Sequence, residues 1–331
     1  MVAKFIALII LIILKQCNCE NKNLPCEFVF EKKFGYTCKV TKEFDSTNKF
    51  INITGIIGDH CAIDKTFNFS NKDVIRVMFF DRQILYIPAN INQQFPSLKT
   101  LQIKKCGLLE LTRENNFHSL RRMYLGFNKI KNIPKMYFWH FCRLEILSLS
   151  VNQISNIPQM AFRDLINLKR LSLNGNRLMT IDPLLFVRCT KLQYVDFDNN
   201  QLQSIDGDWF AKQSKLYKVS LSNNGIQYID TQFFSSWQSM NVPQTKINRY
   251  VIFKNNSCID FSFNNESNFE QLLQIISDNC SIPLPTTPAI TTTSKANSRT
   301  KKPKYKPKQV LWFDFCEWNI QKEFQYLYKS Y

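Results

Sequence analysis

The chain has 331 residues and a formal net charge of +17, from 43 Lys and Arg against 26 Asp and Glu. It holds only eight glycines and three scattered histidines, His60, His118 and His140. There is no phosphate loop, no Gly-x-Ser-x-Gly and no His-Glu-x-x-His, so the sequence reads as a non-enzyme with no cofactor.

Met1 to Cys19 carries Lys4, the apolar run Phe5–Leu14 and small residues at Cys17 and Cys19. That is the layout of a secretory signal peptide over 1–19, with cleavage before Glu20. The apolar run falls short of the roughly 20 residues a membrane span needs, so the expectation is a secreted, extracellular chain with no transmembrane segment. Nine cysteines remain after cleavage, and none of them forms a Cys-x-x-Cys, which argues against a zinc site. The expected N-terminal cap covers 20–73. In it Cys26 and Cys38 flank "EFVFEKKFGYT" and are expected to staple a cap over the open edge of the sheet that follows.

From Val74 to Asp230 one pattern recurs seven times, apolar-x-x-apolar-x-apolar-x-x-Asn-x-apolar-x-x-Ile, clearest in "LEILSLSVNQISNIP" and "LKRLSLNGNRLMTID". Copies open at Val74, Leu98, Leu120, Leu144, Leu168, Leu192 and Leu216, in steps of 24 residues with one of 22. A fixed period in the twenties marks a leucine-rich repeat solenoid. The expected fold, over 74–239, is an α/β solenoid, a horseshoe with a parallel concave sheet and disulfide-capped ends. Alternating apolar residues such as Leu171 and Leu173 point into the coil, and one coil cannot bury them without a neighbour. Asn128, Asn152, Asn176, Asn200 and Asn224 are expected to form an inside ladder that satisfies backbone groups at an inward turn. Arg82 and Cys106 replace Asn in the first two copies. Phe138, Phe162, Phe186, Phe210 and Phe234 read as a spine on the convex side.

The C-terminal cap is expected over 240–282. "YVIFKNNSC" reads as an eighth strand with Asn256 at the ladder position, and Cys280, after a helical pattern, is placed to return to Cys258. The 24-residue copies with a Phe spine resemble the extracellular leucine-rich repeats of Toll-type ectodomains, small proteoglycans and secreted insect proteins. In layout, the chain is also similar to mosquito leucine-rich-repeat immune proteins. The resemblance implies extracellular recognition, and it supports the Cys258–Cys280 bridge, although the fuller four-cysteine cap of the family is absent.

Among the other cysteines, Cys142 and Cys189 lie two coils apart, too far to bridge, and Cys189 reads as a buried free thiol. Cys61 and Cys106 are another candidate pair. Five sequons, at Asn52, Asn68, Asn255, Asn265 and Asn279, all fall in the caps and leave the central coils clear. Residues 283–308 form a Thr/Pro-rich linker that turns basic: Lys295 to Lys308 contributes seven of the positive charges. This tail is either solvated or attached to polyanions. Residues 309–331 pattern as an amphipathic aromatic helix, and its Cys316 is the candidate for a disulfide-linked dimer, with an internal bridge as the alternative.

Ligand contacts are expected on the concave face, at Arg76, Phe80, Lys104, Arg122, Tyr124, Arg170, Tyr194, Asp196 and Lys218. The ligand expected there is a protein or an anionic glycan, not nucleic acid, and the resemblance implies immune or cell-surface recognition. The alternative from another class is a structural matrix protein held to polyanions by its tail.

Overall fold

The computed structural model describes residues 21–31, 35–40, 52–57, 70–112, 117–207, 209–234, 249–264 and 269–280. The leader, Cys61, Asn68, Asn265, the linker and the Cys316 segment lie outside them. Three strands open the chain: β1 (Asn21–Glu31), β2 (Gly35–Val40) and β3 (Asn52–Ile57). The repeats supply β4 (Arg76–Phe80), β5 (Thr100–Lys104), β6 (Arg122–Tyr124), β7 (Ile146–Ser148), β8 (Arg170–Ser172), β9 (Tyr194–Asp196) and β11 (Lys218–Ser220). A small second sheet pairs β10 (Ser204–Ile205) with β12 (Tyr228–Ile229). The chain then forms β13 (Tyr250–Ile252) and β14 (Ser262–Asn264). Two helices are described, α1 (Ile91–Gln94) and α2 (Phe269–Asn279).

Each repeat crosses the main sheet once and returns by turns, so consecutive repeats lie parallel and in register. Arg76 faces Thr100, Thr100 faces Arg122, and the row continues through Ile146, Arg170, Tyr194, Lys218 and Tyr250. Strand alternation sends every second side chain inward. Val77, Leu101, Met123, Leu147, Leu171, Val195, Val219 and Val251 therefore form one continuous buried row. Burying each such side chain contributes roughly 1.5–3 kcal/mol, an upper figure for an extended unfolded reference.

The Asn ladder ties neighbouring coils together. Asn152 Oδ1 accepts the Ile130 N–H at 3.1 Å, Asn200 Oδ1 accepts the Leu178 N–H at 3.1 Å, and Asn256 extends the series by accepting the Ile226 N–H at 3.4 Å. Asn128, the first of the row, accepts from both Cys106 and Leu108. A thiol at Cys106 supplies no such amide, and its Sγ donates instead to Lys104 O at 3.1 Å. On the return side the phenylalanine spine is fully buried, and Phe162, Phe186 and Phe210 stack in sequence.

Both predicted disulfides are present, Cys26–Cys38 and Cys258–Cys280. The first staples the cap that covers the edge of the repeat sheet, and the cap does so by strand pairing. β2 pairs parallel with β4, β1 pairs antiparallel with β2, and β3 pairs with β1, so the N-terminal strands lengthen the main sheet. At the other end β13 pairs with β11 as the eighth repeat strand, β14 turns back antiparallel, and α2 follows. The Cys61–Cys106 pairing is overturned, because Cys106 is a buried free thiol. Its place in the inward turn explains this: the sulfur faces the core and burial pushes its pKa up. Cys189 is likewise a buried free thiol, its pKa pushed up to about 12 by burial. Cys142 is disulfide-bonded, to a partner outside the described residues. No helix among the described residues is long and apolar enough to cross a membrane.

Candidate functional site

The concave face is built from the strand residues that alternate with the buried row. One column runs Arg76, Thr100, Arg122, Ile146, Arg170, Tyr194 and Lys218, and the next runs Met78, Gln102, Tyr124, Ser148, Ser172, Asp196 and Ser220. Arg122 and Arg170 are exposed, while Tyr124, Tyr194, Lys104 and Lys218 are half-buried. Three cations rest on two rings: Lys104 lies 5.4 Å from the Tyr124 ring centre, and Arg170 and Lys218 lie 5.4 and 5.6 Å from that of Tyr194. Each such contact contributes about 0.5–1 kcal/mol at an exposed site and fixes the position of the charge. Among the described residues none of Lys104, Arg122, Arg170 or Lys218 has a carboxylate within ion-pair range. The carboxylate beside them, Glu145, is engaged by Lys169 at 2.8 Å and Arg121 at 3.3 Å, and the bond from Lys169 holds it below the usual carboxylate range.

Two of the predicted contacts do not project into solvent. Arg76 is only 9% exposed and donates to Gln102 Oε1 at 2.9 Å, on a strand whose other neighbour is β2 of the N-terminal extension. Asp196 is 8% exposed. It ends a chain of polar side chains across three coils, in which Ser148 meets Ser150 at 3.1 Å, Ser150 meets Ser172 at 2.8 Å, and Ser172 donates to Asp196 at 3.4 Å. Tyr194 Oη donates to Asp196 at 3.3 Å, and the Asp198 N–H donates at 3.1 Å. Burial raises the Asp196 pKa, the nearby Asp198 charge adds to the rise, and the hydrogen bonds oppose it. The Tyr194 hydroxyl is pushed up to about 12, first by burial and then by Asp196.

A carboxyl with a raised folded pKa stabilises the fold in its protonated form. That contribution is complete below the unfolded pKa and is lost as the pH rises through the folded value. Asp196→Asn keeps the acceptor for Asp198 and removes the buried charge. It is expected to raise the Tm at pH 7, with the gap over wild type closing as the pH falls into the ordinary carboxylate range. Melts at pH 7 and pH 4 check this; a gap of constant size would assign the effect to something other than the charge.

Of the sequons, Asn52 opens β3, while Asn255 and Asn279 are exposed on the last coil and at the end of α2. The Asn255 amide donates to Asn223 Oδ1 at 2.8 Å.

The regular inward row, Asn ladder and spine have a counterpart among known repeats. The sequence model of the BspA type leucine rich repeat region matches residues 131–260 in six copies. These coils are leucine-rich repeats. No curated protein sequence matches the chain. Among solved structures, the LRIM1/APL1C complex is 20% identical with a TM-score of 0.48, covering 62% of this chain and 36% of that one. The Toll–Spatzle complex of Drosophila is 21% identical with a TM-score of 0.49, covering 62% and 26%. An LRR protein of Leptospira interrogans is 21% identical with a TM-score of 0.49, covering 57% and 45%. The chain thus spans about half or less of the length of these structures.

Position eight of each leucine-rich repeat has a backbone conformation that sequence reasoning missed, and with it Val151. The backbone there is left-handed in every coil, at Asp81, Lys105, Phe127, Val151, Gly175, Asn199, Asn223 and Asn255, with φ between 52° and 65°. Gly and Asn take up that conformation readily, whereas Phe and β-branched Val do not. Aligning the repeats by their ladder Asn exposes the two misfits. The third leucine-rich repeat, residues 120–143, also carries six Lys and Arg and no Asp or Glu.

Proposed function

We propose that the chain is an extracellular, non-catalytic binding protein that recognises an acidic macromolecular ligand, a protein or an anionic glycan, on the concave face of its third to seventh repeats. The observation that carries this reading is the column Arg122, Arg170, Lys218. Its members occupy alternate coils, roughly 10 Å apart at the usual strand spacing, are in register, and face no carboxylate partner among the described residues. A row of cations with no carboxylate in ion-pair range, two of them resting on the Tyr194 ring, favours an extended polyanionic surface and speeds its encounter. The leader, the sequons and the disulfides support an extracellular setting. Within this proposal Cys316 is the residue that would link two chains.

The test is Arg122→Glu/Arg170→Glu/Lys218→Glu in the mature protein. Arg76 is omitted because it is buried against Gln102. Retention on heparin and on an immobilised poly-Glu peptide is expected to fall at least tenfold at 0.15 M salt, with an unchanged melt. Undiminished retention on both would remove the concave column as the binding surface.

A further inference from the structure

We propose that the rim of the sheet beside the concave face, at Phe80, Phe127 and Val151, docks an acidic polypeptide through its apolar side chains. The proposal rests on the concave-face reading and narrows its ligand to a protein. Phe80 and Phe127 are each 50% exposed and Val151 42%. Phe80 is the last residue of β4 in the first coil; Phe127 and Val151 follow the strands of the third and fourth coils and adjoin: Phe127 N–H donates to Ser150 O at 2.9 Å and Asn128 N–H to Val151 O at 3.1 Å. Isolated exposed apolar residues are ordinary on a protein surface, but the adjoining pair Phe127 and Val151, with Phe80 exposed two coils away, makes more than a single exposed side chain.

Backbone strain is the second observation. Phe127 has φ 59° and Val151 φ 52°, in a region that costs free energy for residues with a bulky or branched Cβ. The equivalent sites in later coils hold Gly175, Asn199, Asn223 and Asn255, which adopt it with little cost. The turn would be satisfied by Asn at 127 and 151, and neither side chain repays the strain by being buried. Strain kept where the fold does not need it points to use of the side chain. Gly175 continues the surface, since a Cβ there would stand 3.2 Å from Val151 Cγ2. Its bare backbone leaves the flank of Val151 open.

Charge chooses the occupant. Lys105 Nζ lies 5.6 Å from the Phe80 ring centre, Lys129 is exposed two residues beyond Phe127, and the third repeat has no acid. A second copy of a chain with net charge +17 would bring like charges together here. A glycan polyanion would meet the cations and leave three large apolar side chains unused. An acidic polypeptide carrying apolar residues satisfies both features.

The experiment uses the mature chain and three probes: a labelled peptide of alternating Glu and Phe, the same peptide with Ser for Phe, and a heparin fragment. Wild type is expected to bind the Glu/Phe peptide about tenfold tighter than the Glu/Ser peptide. In Phe127→Asn/Val151→Asn that preference disappears, heparin affinity is unchanged, and the Tm rises because the strain is gone. Phe80→Ser, in ordinary strand backbone, gives an independent loss of the same preference. The rim proposal is overturned by equal binding of the two peptides to wild type, by a preference that survives these substitutions, or by heparin binding that falls in parallel with peptide binding. A dimer seen by sedimentation and dispersed by the double substitution would overturn it too, in favour of a second copy. Failure of the concave-face reading is a separate result, read when the triple charge reversal leaves all three probes bound.

Discussion

Asn176→Ala is expected to lower the unfolding free energy by about 1–3 kcal/mol, the cost of one buried donor left without an acceptor. Asn176 Oδ1 accepts the Ile154 N–H at 3.0 Å, and its Nδ2 donates to Leu149 O at 3.0 Å and Leu173 O at 2.8 Å. The two carbonyls keep a second ladder partner, Asn152 for Leu149 and Asn200 for Leu173, each at 3.0 Å. Ile154 N–H has no such reserve, so its desolvation decides the loss. Asn200→Ala should behave alike, because Leu178 N–H depends on it in the same way. Asn174→Ala is the control, since its side chain is half-buried and takes only a 3.5 Å contact from Ser172. Denaturant melts that place Asn176→Ala and Asn174→Ala together would show that the ladder is not what holds adjacent turns.

The ladder, the spine and the inward row were legible in the sequence because each is a periodic demand. A coil that must stack on its neighbour needs the same residue type at the same place, and repetition reveals it. The Cys258–Cys280 bridge was legible for a related reason, since Cys258 falls two residues after a ladder Asn at the end of the series. Surface cover was not legible. Alternation places Arg76 and Asp196 on the concave side, but it does not say that Gln102 and the β2 neighbour close over Arg76, or that Ser172 and Tyr194 close over Asp196. Those contacts depend on what the adjoining coil happens to carry. The N-terminal cap was legible from its two cysteines, but not that it covers the edge as added strands, because "EFVFEKKFGYT" lacks the repeat. Pairing of β2 with β4 uses backbone groups, which carry no sequence signature. Val151 was passed over, and Phe127 was legible only as one aromatic among the basic first coils, because neither draws further notice until the backbone sign at position eight is known.

Phe186→Ala is expected to have the largest effect on stability, a loss of about 3–5 kcal/mol. The ring is fully buried, stacks on Phe210 at 5.3 Å and Phe162 at 6.2 Å, and meets Phe197 at 6.2 Å between ring centres. Its removal takes the middle ring from a column of three. Collapse into the gap is hindered because Phe162 and Phe210 belong to coils whose strands are fixed in register on either side of the Phe186 coil, Leu147 to Leu171 and Leu171 to Val195 among the pairs. The cavity therefore persists and adds its own cost to the lost transfer free energy. Phe186→Leu, which keeps much of the volume, should recover most of the loss. Phe186→Ala/Phe210→Ala should cost less than the two single changes summed, because the two substitutions share one cavity. Additive single and double losses would mean that the rings pack independently, and the spine would then be a row of separate contacts with no shared core.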